Sequence, residues 1–162
     1  MAAPDFVLTL RESIGTAPLW LSGVTAVVVR GDDVLLVRRT DTGAWTPVTG
    51  IVDPGEHPAD AAVREVLEEA DVRAAPVRLA AVGVTTGVVY ANGDLASYLD
   101  LTFLLHHEEG TPSPADGENT EARWFARTEL PSMSAEMLGR LDAAFSGEAG
   151  ARFVAAGEVH RS

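Results

Sequence analysis

The sequence predicts an α/β sandwich, with a mixed β-sheet held between helices. Short β-branched apolar runs alternate along the chain with segments of helical period, and no internal repeat or interdomain linker interrupts them. A length of 162 residues suits one domain with a substantial core.

Each element has its own justification. Residues 4–15 place Phe6, Val7, Leu10 and Ile14 on one side of a short amphipathic helix. Val24 to Arg30 is β-branched and apolar, which reads as a buried strand. Gly31-Asp32-Asp33 turns the chain, and Val34 to Arg39 returns as its hairpin partner. Thr40 to Gly43 is a polar loop, and the stretch from Trp45 to Gly50 leads towards a helix over Pro58 to Ala70, with Pro58 suited to the first turn. Arg78 to Val89 reads as a long strand broken near Gly83 and Gly87. Ala91-Asn92-Gly93-Asp94 is a hairpin turn, and Tyr98 to His106 is the returning strand. A Gly/Pro/Asp-rich loop over Glu108 to Asn119 precedes a short strand, Glu121 to Phe125, and a second main helix over Pro131 to Phe145. The chain therefore divides into an N-terminal helical extension (1–20), a central domain (21–145) and a C-terminal helix or tail (146–162).

Composition excludes several classes. There is no cysteine, hence no disulfide framework and no thiolate catalysis. The first residues lack a basic segment followed by an apolar run, and no apolar stretch approaches membrane-spanning length, so a cytoplasmic protein is expected. A net charge of −12 argues against non-specific binding to nucleic acid or to an anionic membrane, both of which need a basic footprint. A phosphate substrate remains compatible with that charge if a divalent metal and a few local arginines invert the field within the site.

The helix over residues 58–70 carries the chemistry. At about 100° per residue, Glu65, Glu68 and Glu69 fall within roughly one quadrant, while Ala59, Ala62, Val63, Val66 and Ala70 form a stripe on the other side. Such a helix is expected to bury the apolar stripe and present a wall of carboxylates opposite. Most acidic helix faces are simply solvated. Like charges at i,i+3 and i,i+4 cost a few tenths of a kcal/mol per pair, however, and here only Arg64 lies one turn away to relieve them. The helix is also introduced by Asp53-Pro54-Gly55-Glu56, a sharp turn that delivers one more carboxylate. Oxygen ligands with no cysteine and no nearby histidine pair favour Mg²⁺ or Mn²⁺ over Zn²⁺.

Gly50, Glu56, Arg64, Glu65, Val66, Glu68, Glu69 and Val72 stand at eight of the nine specified positions of a signature spanning Gly50 to Val72. In that pattern a glycine is followed, after five residues, by Glu. Seven residues later come Arg-Glu, an aliphatic, any residue, Glu-Glu, any residue, Gly and an aliphatic. The segment resembles the signature of the Nudix hydrolases. Asp71 departs from it, standing where the family has glycine at the helix end. That position often takes the left-handed conformation, which Asp tolerates better than most residues.

The resemblance extends over roughly residues 20–145 and implies a Nudix-type α/β/α sandwich with a mixed β-sheet. It also implies Mg²⁺-dependent (or Mn²⁺-dependent) cleavage of the diphosphate linkage in a nucleoside diphosphate derivative. The substrate would be an ADP-ribose-like or nucleotide-sugar compound, a dinucleoside polyphosphate or a nucleoside triphosphate. By resemblance, Glu68 and Glu69 are direct metal ligands, and Glu65 is a further ligand or the base. Arg64 fixes the rotamer of a neighbouring glutamate, or is an ordinary i,i+4 surface pair. Glu56 and the Gly50 carbonyl complete the site. Relatives often add a carboxylate from a distant loop, for which Glu118 and Glu121 are the candidates, each with solvation as its alternative.

Beyond the signature, Arg38 and Arg39 end a strand within reach of a phosphate, or form a solvated strand end. Trp45 and Trp124 can stack on a nucleobase or belong to the core, and Trp20 and Tyr90 are open to the same two readings. His106 and His107 point to opposite strand faces and read as surface. Val88 stands where relatives that cleave ADP-ribose often carry proline, and Tyr90 matches a tyrosine of relatives acting on dinucleoside polyphosphates. A Nudix-fold nucleotide sensor is the alternative, against which the retained Glu65, Glu68 and Glu69 count. An isoprenoid diphosphate isomerase would want a cysteine. A homodimer through residues 1–20 is a further expectation of the resemblance.

Overall fold

A computed structural model describes residues 3–153. In chain order the elements are α1 (Asp5–Ile14), β1 (Leu19–Arg30), β2 (Asp33–Arg39), β3 (Trp45–Thr46), β4 (Val48–Ile51), α2 (Pro58–Ala70), β5 (Arg73–Val89), β6 (Leu95–Glu109), β7 (Asn119–Ala126), α3 (Ala135–Phe145) and β8 (Arg152–Phe153). They form the mixed sheet between helices that the sequence predicts. Strand order is β3-β2-β1-β6-β5-β8, with β4 also paired to β1 and β7 to β2.

The β-branched run of β1 explains its central place. Val24, Ala26 and Val28 face one layer, packing with Ala62, Val66 and Ala70 of α2. Val27 and Val29 face the other, with Leu141 and Ala144 of α3. The period of two thus feeds two cores from one strand. In β2, Leu35 and Val37 pack on the α2 side, Val34 and Leu36 on the α3 side. Each such buried Val or Leu contributes about 1.5–3 kcal/mol of hydrophobic stabilisation. A third cluster seats α1 through Val7 against Leu21, Ile51 and Ala96. Of the four residues expected on the buried side of α1, Leu10 and Ile14 remain 42% and 40% exposed.

The expected hairpin exists only at its turn. Val29 pairs with Val34 and Arg30 with Asp33, after which the strands splay. β1 continues parallel to β6 and antiparallel to β4, whereas β2 pairs with β7 and β3. The second hairpin is longer than its apolar pattern suggests, since β5 runs 17 residues and β6 runs 15. Gly83 does not interrupt β5; cross-strand pairing carries the chain through it, and the bulges lie elsewhere, one of them between Thr85 and Val88 around Gly87. α3 starts at Ala135 rather than Pro131, because Ser134 caps it, with its hydroxyl oxygen accepting from the Met137 N–H at 3.2 Å. Where a C-terminal helix or tail was expected, Arg152 and Phe153 instead add a short parallel strand beside Ala81 and Val82. The rest of that segment, 154–162, lies outside the described residues. No described helix is long and apolar enough to cross a membrane.

Asp71 ends α2 in the left-handed conformation, φ 52° and ψ 38°, its N–H reaching the Leu67 carbonyl at 3.1 Å. An L-residue pays for that conformation, and an anion at a helix C-terminus faces the negative end of the dipole. Asp71→Gly is expected to raise stability by about 0.5–1 kcal/mol, seen as a higher urea midpoint at unchanged slope. A midpoint at or below wild type would show that the aspartate earns its place by another interaction.

Candidate active site

The site begins in the loop before α2. Gly55 takes φ 87°, a conformation that side chains resist. The turn brings the Glu56 N–H to the Asp53 carbonyl at 3.0 Å and the Asp53 N–H to Glu56 Oε2 at 3.1 Å. Glu56 is thereby folded back to meet Arg64. The guanidinium donates Nε to Glu56 Oε1 at 2.9 Å and Nη2 to Glu56 Oε2 at 3.0 Å, a bidentate pair. Nη2 also reaches the Ile51 carbonyl at 3.1 Å, and Nη1 reaches Glu65 Oε1 at 2.9 Å and Glu68 Oε2 at 3.1 Å. Hydrogen bonding to Arg64 holds the Glu56 carboxyl below its ordinary range.

The wall of carboxylates does not face outward as the helical period suggested. Glu68 is the exposed one, whereas Glu65 and Glu69 are 7% and 0% exposed. Neighbouring backbone covers that flank of α2. At Gly50, on β4, an added Cβ would lie 2.0 Å from Glu65 Cδ, so glycine is required here by close approach and not by backbone conformation. On the other side comes the loop between β6 and β7. It caps the end of α2, with the Ser113 N–H on the Ala70 carbonyl at 3.0 Å and the Ala115 N–H on the Glu69 carbonyl at 3.3 Å. Thr40 pins the far end of this loop, its N–H on the Glu118 carbonyl at 2.9 Å and its hydroxyl on the Gly117 carbonyl at 3.1 Å. Glu118 and Asn119 are delivered beside Glu69.

Burial dominates the electrostatics. It pushes the Glu65 carboxyl up to about 7, with Glu68 and Glu118 adding to the effect and Arg64 opposing it. It pushes Glu69 up to about 8, opposed by the hydrogen bond from Asn119 and the charge of Arg39, and reinforced by Glu118 and Glu65. Arg39 Nη1 lies 3.8 Å from Glu118 Oε2. Glu69 Oε1 is buried without a hydrogen-bond partner.

Gly50, Glu56, Arg64, Glu65, Glu68, Glu69, Glu118 and Arg39 are therefore brought together. Arg38, Trp45, Tyr90, Glu121 and Trp124 are not. Arg38 bonds Glu121 at 2.9 Å and the Gly43 carbonyl at 3.2 Å. Trp45 packs on the α3 side, its ring 4.8 Å from Phe125. Trp124 packs in the α2-side core between Arg30 and His107. The Tyr90 hydroxyl pairs with that of Tyr98. His106 is exposed, His107 half-buried and Trp20 60% exposed. Asn119 was not among the expected residues, although it adjoins Glu118 in the sequence.

Among the described residues, no group of three or more His, Cys, Asp or Glu side chains is arranged to hold a metal ion as it stands. Arg64 Nη1 bonds Glu65 and Glu68 together and takes up their facing oxygens. The donor chemistry nevertheless fits a hard divalent cation: all-oxygen donors, two buried carboxyls displaced towards neutrality, and a partnerless buried oxygen on Glu69.

Comparison with known proteins decides the family. The family model described as NUDIX domain matches residues 20–145. The chain belongs to the Nudix hydrolase family. The NAD-capped RNA hydrolase NudC of Pseudomonas syringae pv. syringae (strain B728a) is 33% identical over 130 residues, which cover 77% of this chain and 43% of the relative. The 8-oxo-dGDP phosphatase NUDT18 of Homo sapiens is 34% identical over 107 residues, covering 62% of this chain and 30% of the relative. The Nudix chain thus spans less than half the length of these curated relatives. Among solved structures, a NUDIX hydrolase from Nitrosomonas europaea superposes with a TM-score of 0.66 at 25% identity, covering 80% of this chain and 90% of that one.

Proposed function

We propose that this Nudix chain hydrolyses the diphosphate linkage of a small nucleoside diphosphate derivative with Mg²⁺ or Mn²⁺. The observation that carries the reading is the pair Glu65 and Glu69, one helical turn apart, both buried and both displaced towards neutral pKa. Buried carboxylates are costly unless a cation or a proton compensates them. Glu65, Glu68 and Glu69, with the Gly50 carbonyl, are the groups that would hold the metal. Such an ion supplies charge neutralisation for the diphosphate and activation of a water molecule.

The chain's own residues do the rest. Arg64 clamps Glu56 and ties Glu65 and Glu68 to the loop, so that three carboxylates keep one geometry. Glu65, one turn before Glu69, is either a further ligand or the group that accepts a proton from the attacking water. Glu118 enters from the opposite wall as a second acceptor, with Arg39 beside it to meet a phosphate oxygen. NAD-capped RNA and 8-oxo-dGDP, on which the named relatives act, share a nucleoside diphosphate unit, and that unit is the proposed recognition element. A net charge of −12 favours a small nucleotide over a long polyanion.

The test is cleavage of the diphosphate linkage, read by chromatographic separation of the monophosphate products. The panel holds ADP-ribose, NAD, dinucleoside polyphosphates, nucleoside triphosphates, 8-oxo-dGDP and a capped RNA, each with Mg²⁺ or Mn²⁺. The expected outcome is turnover of one small-nucleotide class that chelation abolishes. Nucleotide binding without turnover of any compound would replace hydrolysis by a sensor role.

A further inference from the structure

Asn119 is a buried polar residue that neither the Nudix signature nor the proposed chemistry assigns. It is 4% exposed, and its Nδ2 donates to Glu69 Oε2 at 2.8 Å, a contact between residues 50 positions apart. Its Oδ1 is buried without a partner, as is Glu69 Oε1. Two side chains joined by one hydrogen bond, each leaving another buried oxygen without a partner, are an expensive arrangement, of the kind retained where the geometry serves a site.

The backbone is built to produce this contact. In the β2–β7 ladder Arg38 faces Glu121, but the next pair is Arg39 with Asn119, so Thr120 is an extra residue on β7. A bulge of this kind re-aims the side chains on one side of it. Without it, Asn119 and Glu121 would share a face, as residues two apart on a strand do. With it, Glu121 pairs with Arg38, while Asn119 lies opposite Arg39 and under Glu69. Thr120 itself is exposed, with its hydroxyl on the Arg38 carbonyl at 3.3 Å. The loop arriving at Asn119 is held at one end by α2 and at the other by Thr40, so the amide has a fixed origin.

We propose that Asn119 is a positioning residue for the divalent-cation site, gripping one oxygen of Glu69 so that the other is presented to the ion in a single orientation. The inference rests on the metal-dependent reading above. A neutral amide suits the task. It restrains the carboxylate without neutralising it, whereas an arginine or lysine in its place would compete with the cation for the same charge. Residues that orient metal ligands in this way typically change affinity by about 10- to 100-fold when removed.

The experiment is Mn²⁺ titration of the metal-free full chain without nucleotide, followed by the electron paramagnetic resonance of free Mn²⁺. Wild type, Asn119→Ala, Glu69→Gln and the double variant form a cycle. The expected result is binding weakened about tenfold by Asn119→Ala in the wild-type background, and no further weakening by it in the Glu69→Gln background. A Kd within twofold of wild type overturns the proposal. So does equal weakening in both backgrounds, which is the mark of a general structural role. Should the alanine variant not fold, Asn119→Ser repeats the cycle with a side chain that stops short of Glu69. Absence of Mn²⁺ binding by the wild type would overturn the metal reading itself, an outcome distinct from failure of Asn119 alone.

Discussion

Glu69→Gln is expected to yield a chain that is more stable than wild type at pH 8 in chelator, yet inactive. Burial raises this carboxyl from 4.5 to about 8, so the folded state holds a proton that the unfolded state releases. A raised acid contributes stability that is complete below its unfolded pKa and is lost as pH rises through the folded one. Metal-free wild type should therefore lose stability between about pH 4.5 and pH 8, and the glutamine variant should lose less. Glutamine keeps the shape and an oxygen to accept from Asn119, without the buried charge. The gain at pH 8 is expected to be on the order of 1–3 kcal/mol, shrinking towards pH 5. Mg²⁺ or Mn²⁺ should stabilise wild type more than it stabilises the variant. Activity should fall about a hundredfold or more, since a lost metal ligand removes several kcal/mol from the transition state. Urea melts at pH 5 and pH 8, with and without metal, read all of this. A variant less stable than wild type at both pH values would show that Glu69 is paired in the folded state and not held there at a cost.

That trade of stability for chemistry explains what could and could not be read along the chain. The apolar strands were legible because their code is local: Val24 to Val29 and Val34 to Val37 alternate between two cores, and alternation is written in the residues themselves. The helix over Pro58–Ala70 was legible for the same reason, with its proline start and its left-handed end at Asp71. Its polar face was misjudged because exposure is not local. Helical period assigns Glu65 and Glu69 to the non-apolar side, but whether that side meets water depends on Gly50 and on the loop around Ser113 and Ala115, which come from distant sequence. Charged residues are rarely buried, which favours an outward position for both glutamates when sequence alone is considered.

Other departures have the same origin. Nothing in Val29 to Val37 announces that the two strands part after one turn; the competing partners β4 and β7 arrive later in the chain. Trp45 and Trp124 are both half-buried, and which core each joins depends on pairing registers invisible in an aromatic residue's identity. Asn119 escaped because a bulge at Thr120 breaks the period of two. A strand written without that extra residue would have placed Asn119 beside Glu121, on the face where Arg38 lies.

Gly50→Ala is expected to damage both stability and activity, and to be repaired in only one of them by a second substitution. Gly50 pairs with Val24 in the sheet, so its backbone has little freedom to retreat. A methyl group there overlaps Glu65 at three atoms: Cδ at 2.0 Å, and Cγ and Oε1 at 2.2 Å. The glutamate in turn is buried and tied to Arg64, so relief requires a shift of α2 or the loss of that ion pair. Overpacking of this kind costs about 1–3 kcal/mol. A displacement near 1 Å in a ligand-bearing side chain costs about a hundredfold in rate. Glu65→Ala empties the space into which the methyl intrudes. In the double variant the stability cost of the methyl should largely vanish, with a coupling of at least about 1 kcal/mol, while turnover stays lost because Glu65 is absent. Additive effects on stability, within about 0.5 kcal/mol, would show that the sheet yields instead of the glutamate. The glycine would then be a requirement of the strand and not of the site. Stability restored in the double variant with turnover still lost would place the reason for Gly50 in the close approach of Glu65, where a glycine of the signature and a glutamate fifteen residues later meet.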